Sequence, residues 1–370
     1  MQDHATTKPN ILFSTTRQWN PGDEFILKGI QNLLCASHID FNPLILNRHP
    51  DNFQSYSSIN PFRKLRADFR GKGLVNSFIR LGSPDNSFKP GMTTSGINLA
   101  IVAGSPGWYG KTVSPLYDFV NRNRIPTVFM GIGSHHKDPQ SVTSSLSSFG
   151  YYDTLRSATL ITVRDPITET ALDGLGAIRL PCPALFFATA EKTISSVNRI
   201  ALIYSTDRSV TNHKVPRSLF QRMISAYQAI ISHYGKRYEI EFIAHYIDEF
   251  SDFYDRKLFN FPLHYSYDSA DYAEIYRHFD LVIGPRVHGI GAAASLGIPG
   301  IHLGHDHRSD TVHGFCAESL DLGTLNNSQI IARSETAISE VTLRNEHLQK
   351  WKSGAKQKYL ELLKTRLVFL

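Results

Sequence analysis

The chain has 370 residues, 41% of them hydrophobic and 19% charged, which is typical of a globular protein large enough for two domains. Its formal net charge of +6 suits an anionic substrate, and the sequence holds no Lys/Arg block with interleaved aromatic residues, which argues against nucleic acid as a partner. No apolar run approaches the roughly 20 residues that span a bilayer, and the first residues lack a signal-peptide pattern. The three scattered cysteines predict reduced thiols, so we expect a cytoplasmic protein.

Apolar runs and helical patterns alternate in the first half of the chain. Strands are predicted at Asn10–Thr15, Asn98–Ala103, Thr127–Gly131 and Leu160–Val163. Helices are predicted to begin near Gly22 and to cover Ser114–Asn121 and Thr168–Leu175. Residues 50–92 are polar and are interpreted as a long connection with a short helix.

A second alternating half follows residues 186–198, which lose the pattern and are predicted to link two domains. It contains predicted strands Arg199–Tyr204 and Glu239–Ala244, helices Arg217–Tyr234 and Tyr272–His278, and a βαβ unit at Asp280–Gly304. The expected fold class is α/β, with two Rossmann-like domains facing a central cleft in a GT-B type architecture. We place these domains at residues 1–192 and 193–345, with a C-terminal helix over 346–370 that packs back on the first domain.

Within the βαβ unit, Arg286 and His288 fall between the carboxyl end of a strand and the start of a helix. Open α/β sheets bind ligands at that edge, and unpaired helix N–H groups favour an anion there. We therefore predict that both residues contact a phosphate or a carboxylate. The alternative is an arginine that caps a strand end and a histidine that is satisfied by the backbone.

Three segments together resemble the polysaccharide pyruvyltransferase family over residues 10–320. They are Asn20-Pro21-Gly22-Asp23 after the first strand, Val163-Arg164-Asp165 at a strand end, and Arg286-x-His288 with its following helix. The last segment is the most specific of the three. Where the family usually has a Tyr and then a Lys, this chain has His305 and Arg308, so the positive charge is kept on a planar guanidinium.

The resemblance implies a transferase that moves a group from phosphoenolpyruvate to a sugar diol of a glycan or glycan precursor, forming a pyruvate ketal without a metal or other cofactor. A small donor with a phosphate and a carboxylate needs several cations. The expected donor-binding residues are Arg286, Arg308, Arg164, Arg208 and His305. We assign proton transfer to His288, whose imidazole titrates near neutral pH, with Asp207 as its partner. The expected acceptor-binding residues are Asn20, Asp23, His135 and His136.

Several alternatives stay open for these residues. Asp23 and Asp207 can act as structural caps, and Arg164 and Asp165 can form a simple ion pair. A dense set of polar residues has a passing likeness to a metal site; it consists of His302, His305, Asp306, His307, Asp310 and His313. Because no equally clear distant ligands accompany that set, we predict no metal.

Two further functions compete with pyruvyl transfer. One is a GT-B glycosyltransferase that uses a nucleotide sugar, which would need a carboxylate for the ribose in the second half. The other is an anion- or glycan-binding relative without catalysis. The basic, amphipathic run at the C-terminus is expected to pack on its own protein; contact with the inner face of the membrane, near a lipid-linked acceptor, is the alternative.

Overall fold

Two six-stranded sheets, in which every neighbouring pair of strands is parallel, organise the chain. The computed structural model describes residues 8–16, 20–48, 96–207 and 216–370. The predicted connection at 50–92 lies outside these ranges. The predicted α/β class is confirmed, and inner strands such as Thr127–Ile132 and Leu281–Gly284 are buried along their whole length, as is typical of parallel sheets.

The N-terminal sheet has the strand order β2-β1-β3-β4-β5-β6. Its strands are β1 (Asn10–Thr15), β2 (Asn42–Asn47), β3 (Ile97–Ala103), β4 (Thr127–Ile132), β5 (Leu160–Val163) and β6 (Ile178–Arg179). Phe13 of β1 lies opposite Ile45 of the edge strand β2 and Ile101 of β3. The associated helices are α1 (Pro21–Ala36), α2 (Ser114–Arg122), α3 (Pro139–Phe149), α4 (Tyr152–Arg156) and α5 (Pro166–Ala171).

The second sheet has the order β12-β11-β10-β7-β8-β9, which is the Rossmann arrangement. Its strands are β7 (Arg199–Ile203), β8 (Glu239–Ile243), β9 (Leu263–His264), β10 (Leu281–Gly284), β11 (Gly300–Gly304) and β12 (Glu318–Asp321). Ile283 of β10 lies opposite Leu202 of β7 and Ile301 of β11. The helices are α6 (Arg217–Tyr234), α7 (Ile247–Arg256), α8 (Tyr272–Arg277), α9 (Val287–Ser295), α10 (Asn327–Ser339) and α11 (Val341–Arg366).

The strand order reverses once in each sheet, between β1 and β3 and between β7 and β10. A crevice for ligands forms at such reversals, outside the carboxyl ends of the strands. Helix α1 begins directly after β1, and α9 begins directly after β10. The segments that carry Asn20 and His288 therefore occupy the reversal points of the two sheets.

One apolar core runs through both halves of the chain. It includes Phe13 of β1, Leu185 of the short helix Pro183–Phe186, Leu202 of β7 and Tyr359 of α11. A second, smaller cluster packs on the other face of the N-terminal sheet around Trp108, Phe129 and Ile161. The limits at residues 192 and 345 stay predictions.

The last helix contacts both halves. In α11, Lys352 Nζ donates to the carbonyl oxygens of Ser295 (2.5 Å) and Ala188 (3.3 Å), while the Tyr359 hydroxyl donates to the Pro181 carbonyl (2.9 Å). Neither this helix nor any other in the described part of the chain is long and apolar enough to cross a membrane.

We predict opposite effects for two Gly→Ala substitutions in helices. Alanine has the higher helix propensity by about 1 kcal/mol, so Gly354→Ala in α11, where a Cβ meets nothing within 4 Å, should stabilise the protein. At Gly29 in α1 a Cβ would lie 1.8 Å from the Pro183 carbonyl oxygen, so Gly29→Ala should cost roughly 1–3 kcal/mol. Urea titrations measure both free energies of unfolding. A higher free energy of unfolding in Gly29→Ala than in the wild type would contradict the close approach of α1 to the Pro183 carbonyl.

Candidate active site

His288, in the first turn of α9, contacts the N-terminal domain. Its Nε2 lies 2.9 Å from Nη1 of Arg164, which follows β5. A Cβ placed on Gly22 would lie 2.5 Å from His288 Nδ1, so the imidazole rests directly against the first turn of α1. A guanidinium can only donate hydrogen bonds. His288 Nε2 is therefore the acceptor of this hydrogen bond.

Arg164 is held from several sides and is only 6% exposed. Its Nη1 also contacts the Cys182 sulfur at 3.6 Å, and a Cβ on Gly133 would lie 2.4 Å from its Nε. The neighbouring Asp165 accepts hydrogen bonds from the backbone N–H groups of Thr168 (2.8 Å) and Ser134 (3.0 Å). Asp165 thus caps α5 and fixes the strand-end loops, and it forms no ion pair with Arg164 among the described side chains.

Arg286 forms an ion pair with Glu249 and lies over the Tyr246 ring, with its guanidinium carbon 4.6 Å from the ring centroid. Glu249 is fully buried, and its second oxygen accepts from the backbone N–H groups of His245 (2.8 Å) and Tyr246 (3.1 Å). Burial alone lowers the pKa of Arg286, but the Glu249 carboxylate raises it overall, so the guanidinium stays charged. Sequence reasoning identified neither Glu249 nor Tyr246.

Asn20 joins the two domains. Its Oδ1 accepts from the Gly22 N–H (3.1 Å), as the N-cap of α1, and from the Tyr246 hydroxyl (3.0 Å). The N-cap position belongs to Asn20 rather than to Asp23. Asp23 is instead buried, and Arg48 Nη2 lies 3.8 Å from its Oδ2.

His305 and Arg308 lie together after β11. Arg308 binds Asp306 through Nε (2.9 Å to Oδ2) and Nη2, while Asp306 caps the short helix His307–Phe315 by accepting from the Arg308 N–H (3.0 Å). Burial acts to raise the pKa of Asp306, but the Arg308 guanidinium holds it well below its usual range. Burial lowers the pKa of His305, whose Nδ1 has no hydrogen-bond partner among the described residues.

His135 and His136 lie in the N-terminal domain beside Tyr109. His135 Nδ1 is 2.7 Å from the Tyr109 hydroxyl, and the rings of Tyr109 and His135 stack with centroids 5.4 Å apart. The centroids of the two imidazoles are 4.3 Å apart. Burial lowers the pKa of His135, and the charges of His136 and of Arg308 in the second domain act in the same direction. Arg308 therefore lies close enough to influence the proposed acceptor side.

Asp207 is engaged by a residue that the sequence did not place in the site. Asp207 forms an ion pair with Arg256, which also binds Asp252 through Nε at 2.8 and 2.7 Å. Asp207 thus belongs to a charged cluster after β7. Arg208 lies outside the described residues.

The polar set that resembles a metal site begins with His302, which lies within β11. His302 is buried, with Nε2 3.2 Å from the Pro285 carbonyl and Nδ1 3.1 Å from the Ser319 hydroxyl. In the part of the chain that the structure describes, no group of three or more His, Cys, Asp or Glu side chains could hold a metal ion.

Comparison of the chain with sequence models of known families gives one match. A sequence model of the polysaccharide pyruvyl transferase family matches residues 20–307. The chain belongs to this family. The matched range contains the segments around Asn20, Arg164 and His288, and membership makes the protein a transferase. No curated protein matches the chain.

Several solved structures have a fold similar to that of this chain. A co-structure of MnaA and UDP from S. aureus has a TM-score of 0.57 at 11% identity and covers 98% of both chains. A putative UDP-N-acetylglucosamine 2-epimerase from Listeria monocytogenes has a TM-score of 0.56 at 12% identity, also over 98% of both chains. A UDP-GlcNAc 2-epimerase from Neisseria meningitidis bound to UDP-GlcNAc scores 0.50 at 12% identity, over 96% of this chain and 100% of that one. At such identities the likeness concerns the fold alone, and it confirms the GT-B type arrangement.

We predict that Gly22→Ala strongly reduces transferase activity while the protein stays folded. The added methyl group would displace the His288 ring from Arg164, and misplacement of a reacting group by about 1 Å can cost on the order of 100-fold in rate. The control is Gly110→Ala, where a Cβ meets its nearest atom at an ordinary 3.7 Å. Turnover and circular dichroism of both variants test this. Wild-type turnover in Gly22→Ala would show that the contact with α1 is not needed.

A pH dependence of stability follows from His302. Burial lowers its pKa from 6.5 to about 3, so between these values the unfolded chain binds a proton that the folded chain does not. Stability therefore falls as the pH drops from 6.5 towards 3, by up to about 1.4 kcal/mol per pH unit for this group. We expect His302→Gln to reduce that slope in denaturation experiments between pH 6 and pH 4. The exposed His347→Gln is the control, and an unchanged slope in His302→Gln would contradict the assignment.

Proposed function

We propose that the protein transfers the enolpyruvyl-derived group of phosphoenolpyruvate to a diol on a saccharide and forms a pyruvate ketal. The family supports pyruvyl transfer. The observation that carries the proposal further is the 2.9 Å contact between Arg164 and His288 across the two domains. It puts a cation and a proton-transfer group side by side, which is what an anionic donor activated by a proton requires.

The charges around this contact support a role for Arg164 as the residue that first binds the donor. Arg286 pairs with Glu249, and Arg308 pairs with Asp306. No carboxylate of the described residues lies within 4.0 Å of the Arg164 guanidinium. An incoming phosphate or carboxylate therefore meets a guanidinium that is in salt-bridge contact with none of the described carboxylates, and a guanidinium binds such groups with two parallel hydrogen bonds.

Donor binding at Arg164 would also change His288. When Nη1 turns to the donor, Nε2 of His288 loses its hydrogen bond, and a nearby anion favours the protonated imidazole. The imidazolium then donates a proton to the methylene carbon of the donor, which becomes a methyl group, and the adjacent carbon becomes oxocarbenium-like. An acceptor hydroxyl attacks this carbon and gives its proton back to His288. The phosphate leaves as the carbon–oxygen bond breaks, and the second hydroxyl closes the ketal while its proton goes to the departing phosphate.

The acceptor would enter from the N-terminal side. Asn20, His135 and His136 provide polar groups there, and the stacked rings of Tyr109 and His135 add an apolar surface. The proposed acceptor is a glycan unit, free or lipid-linked. The proposed cytoplasmic location at the inner face of the membrane is supported by exposed basic residues on α11 beside Val368 and Phe369, which are 82% and 50% exposed.

The competing glycosyltransferase function finds less support in the second domain. It needs an accessible carboxylate to hold a ribose. Glu249 is fully buried and occupied by Arg286 and two backbone N–H groups, and Asp306 is occupied by Arg308. The UDP and UDP-GlcNAc in the similar structures belong to those proteins.

Ligand-dependent thermal stability tests the proposal. A ligand that binds only the folded state stabilises it by about 2.7 kcal/mol at a concentration of 100 Kd. We expect phosphoenolpyruvate, but not UDP or UDP-sugars, to raise the Tm. Arg164→Ala should lose this shift, whereas His288→Ala should keep it and lose transfer to a sugar diol.

The control for this experiment is Arg156→Ala, which removes a surface arginine paired with Asp153. Its shift with phosphoenolpyruvate should equal that of the wild type. A shift with nucleotide sugars alone would favour glycosyl transfer, and near-normal turnover in His288→Ala would remove this residue from the mechanism.

A further inference from the structure

We infer that Glu249 is a positioning residue that sets the orientation of the Arg286 guanidinium. This inference rests on the proposed function, because its kinetic readout is donor turnover. Glu249 is contributed by α7, after β8, whereas Arg286 follows β10. These two strands flank β7, so the ion pair spans the end of the central strand of the second sheet.

The glutamate itself is fixed by the backbone. Glu249 is the third residue of α7, and its Oε2 accepts from the N–H groups of His245 (2.8 Å) and Tyr246 (3.1 Å), which completes a capping box. Its Oε1 is left for Arg286. Because the carboxylate is fully buried and held by two backbone donors, it cannot follow a moving side chain. The carboxylate therefore defines one position for the guanidinium.

Tyr246 supplies the second constraint on Arg286. Its ring lies under the guanidinium at 4.6 Å, and its hydroxyl donates to Asn20 Oδ1 at 3.0 Å in the other domain. Asn20 in turn accepts from the N–H of Gly22, against which the His288 ring rests. Glu249 thus fixes Arg286 in a series of contacts, through Tyr246, Asn20 and Gly22, that ends at the His288 ring.

This arrangement makes a specific kinetic prediction for Glu249→Gln. The amide keeps the size of the side chain but removes the negative charge, so Arg286 becomes a less compensated and less constrained cation. Donor affinity should then stay the same or increase, because the local positive charge rises. The kcat should fall on the order of 100-fold, because the guanidinium no longer has one orientation. If Glu249 served folding alone, Glu249→Gln would lower the Tm, but the folded variant would not combine a reduced kcat with an unchanged or lower KM.

The experiment is a double-mutant cycle with phosphoenolpyruvate as donor. Glu249→Gln, Arg286→Met and the double variant are compared for kcat and KM, with circular dichroism to confirm folding. If Glu249 acts through Arg286, the loss caused by Glu249→Gln should nearly disappear in the Arg286→Met background. The control is Glu241→Gln on β8, whose carboxylate pairs with His264 instead, and it should retain wild-type kinetics. Wild-type kcat in Glu249→Gln, or equal losses in both backgrounds, would overturn the inference.

A crystal structure of Glu249→Gln gives a readout that does not depend on the reaction. The Arg286 guanidinium should leave its position over the Tyr246 ring, and an unmoved guanidinium would overturn the positioning role. A wild-type protein without turnover of phosphoenolpyruvate would instead overturn the proposed function, and the crystal structure would still decide the role of Glu249.

Discussion

The imidazole of His288 lies where the carboxyl edges of the two parallel sheets meet, and the rest of the site depends on this fit. Its Nε2 accepts from Arg164, and its other side rests on Gly22. The contact forms only if both sheets reverse their strand order at the right place and if residue 22 carries no side chain. A histidine and an arginine that are 124 positions apart in sequence thereby form one hydrogen-bonded pair.

Most of the arginines around this pair have their positive charge balanced by a neighbouring carboxylate. Arg48, Arg286 and Arg308 each have a carboxylate nearby. Such pairing is needed because buried charges without partners are costly. The net charge of +6 is therefore a poor guide to the field at the site, which depends on which arginines keep an acidic partner.

The sequence predicted most of the elements near the site because their signals are local. Strands β1 and β5 and helix α6 have the predicted bounds, and the Asp280–Gly304 unit forms the predicted strand, helix and strand. The family resemblance was confirmed as well. Helix α7 and strand β2 were missed. Helix α7 alternates aromatic with acidic residues, and β2 contains Pro43, which weakens the strand pattern.

The partners of the site residues could not be predicted, because they come from segments far apart in sequence. Glu249 has the appearance of an ordinary acidic residue in a first helical turn, and only the fold brings it to Arg286. Likewise, the contact between Asn20 and Tyr246 joins residues 226 positions apart. For Asp207 the sequence could not indicate the competing partner Arg256, which lies in the missed helix α7.

The apolar core that runs from β1 through the short helix Pro183–Phe186 to β7 and α11 has a consequence for cooperativity. Separating the two halves would expose side chains such as Leu185 and Tyr359 that are buried in this common core. The halves are therefore parts of one folding unit, although each has its own sheet. A fragment that ends between the two sheets would lack part of its own interior.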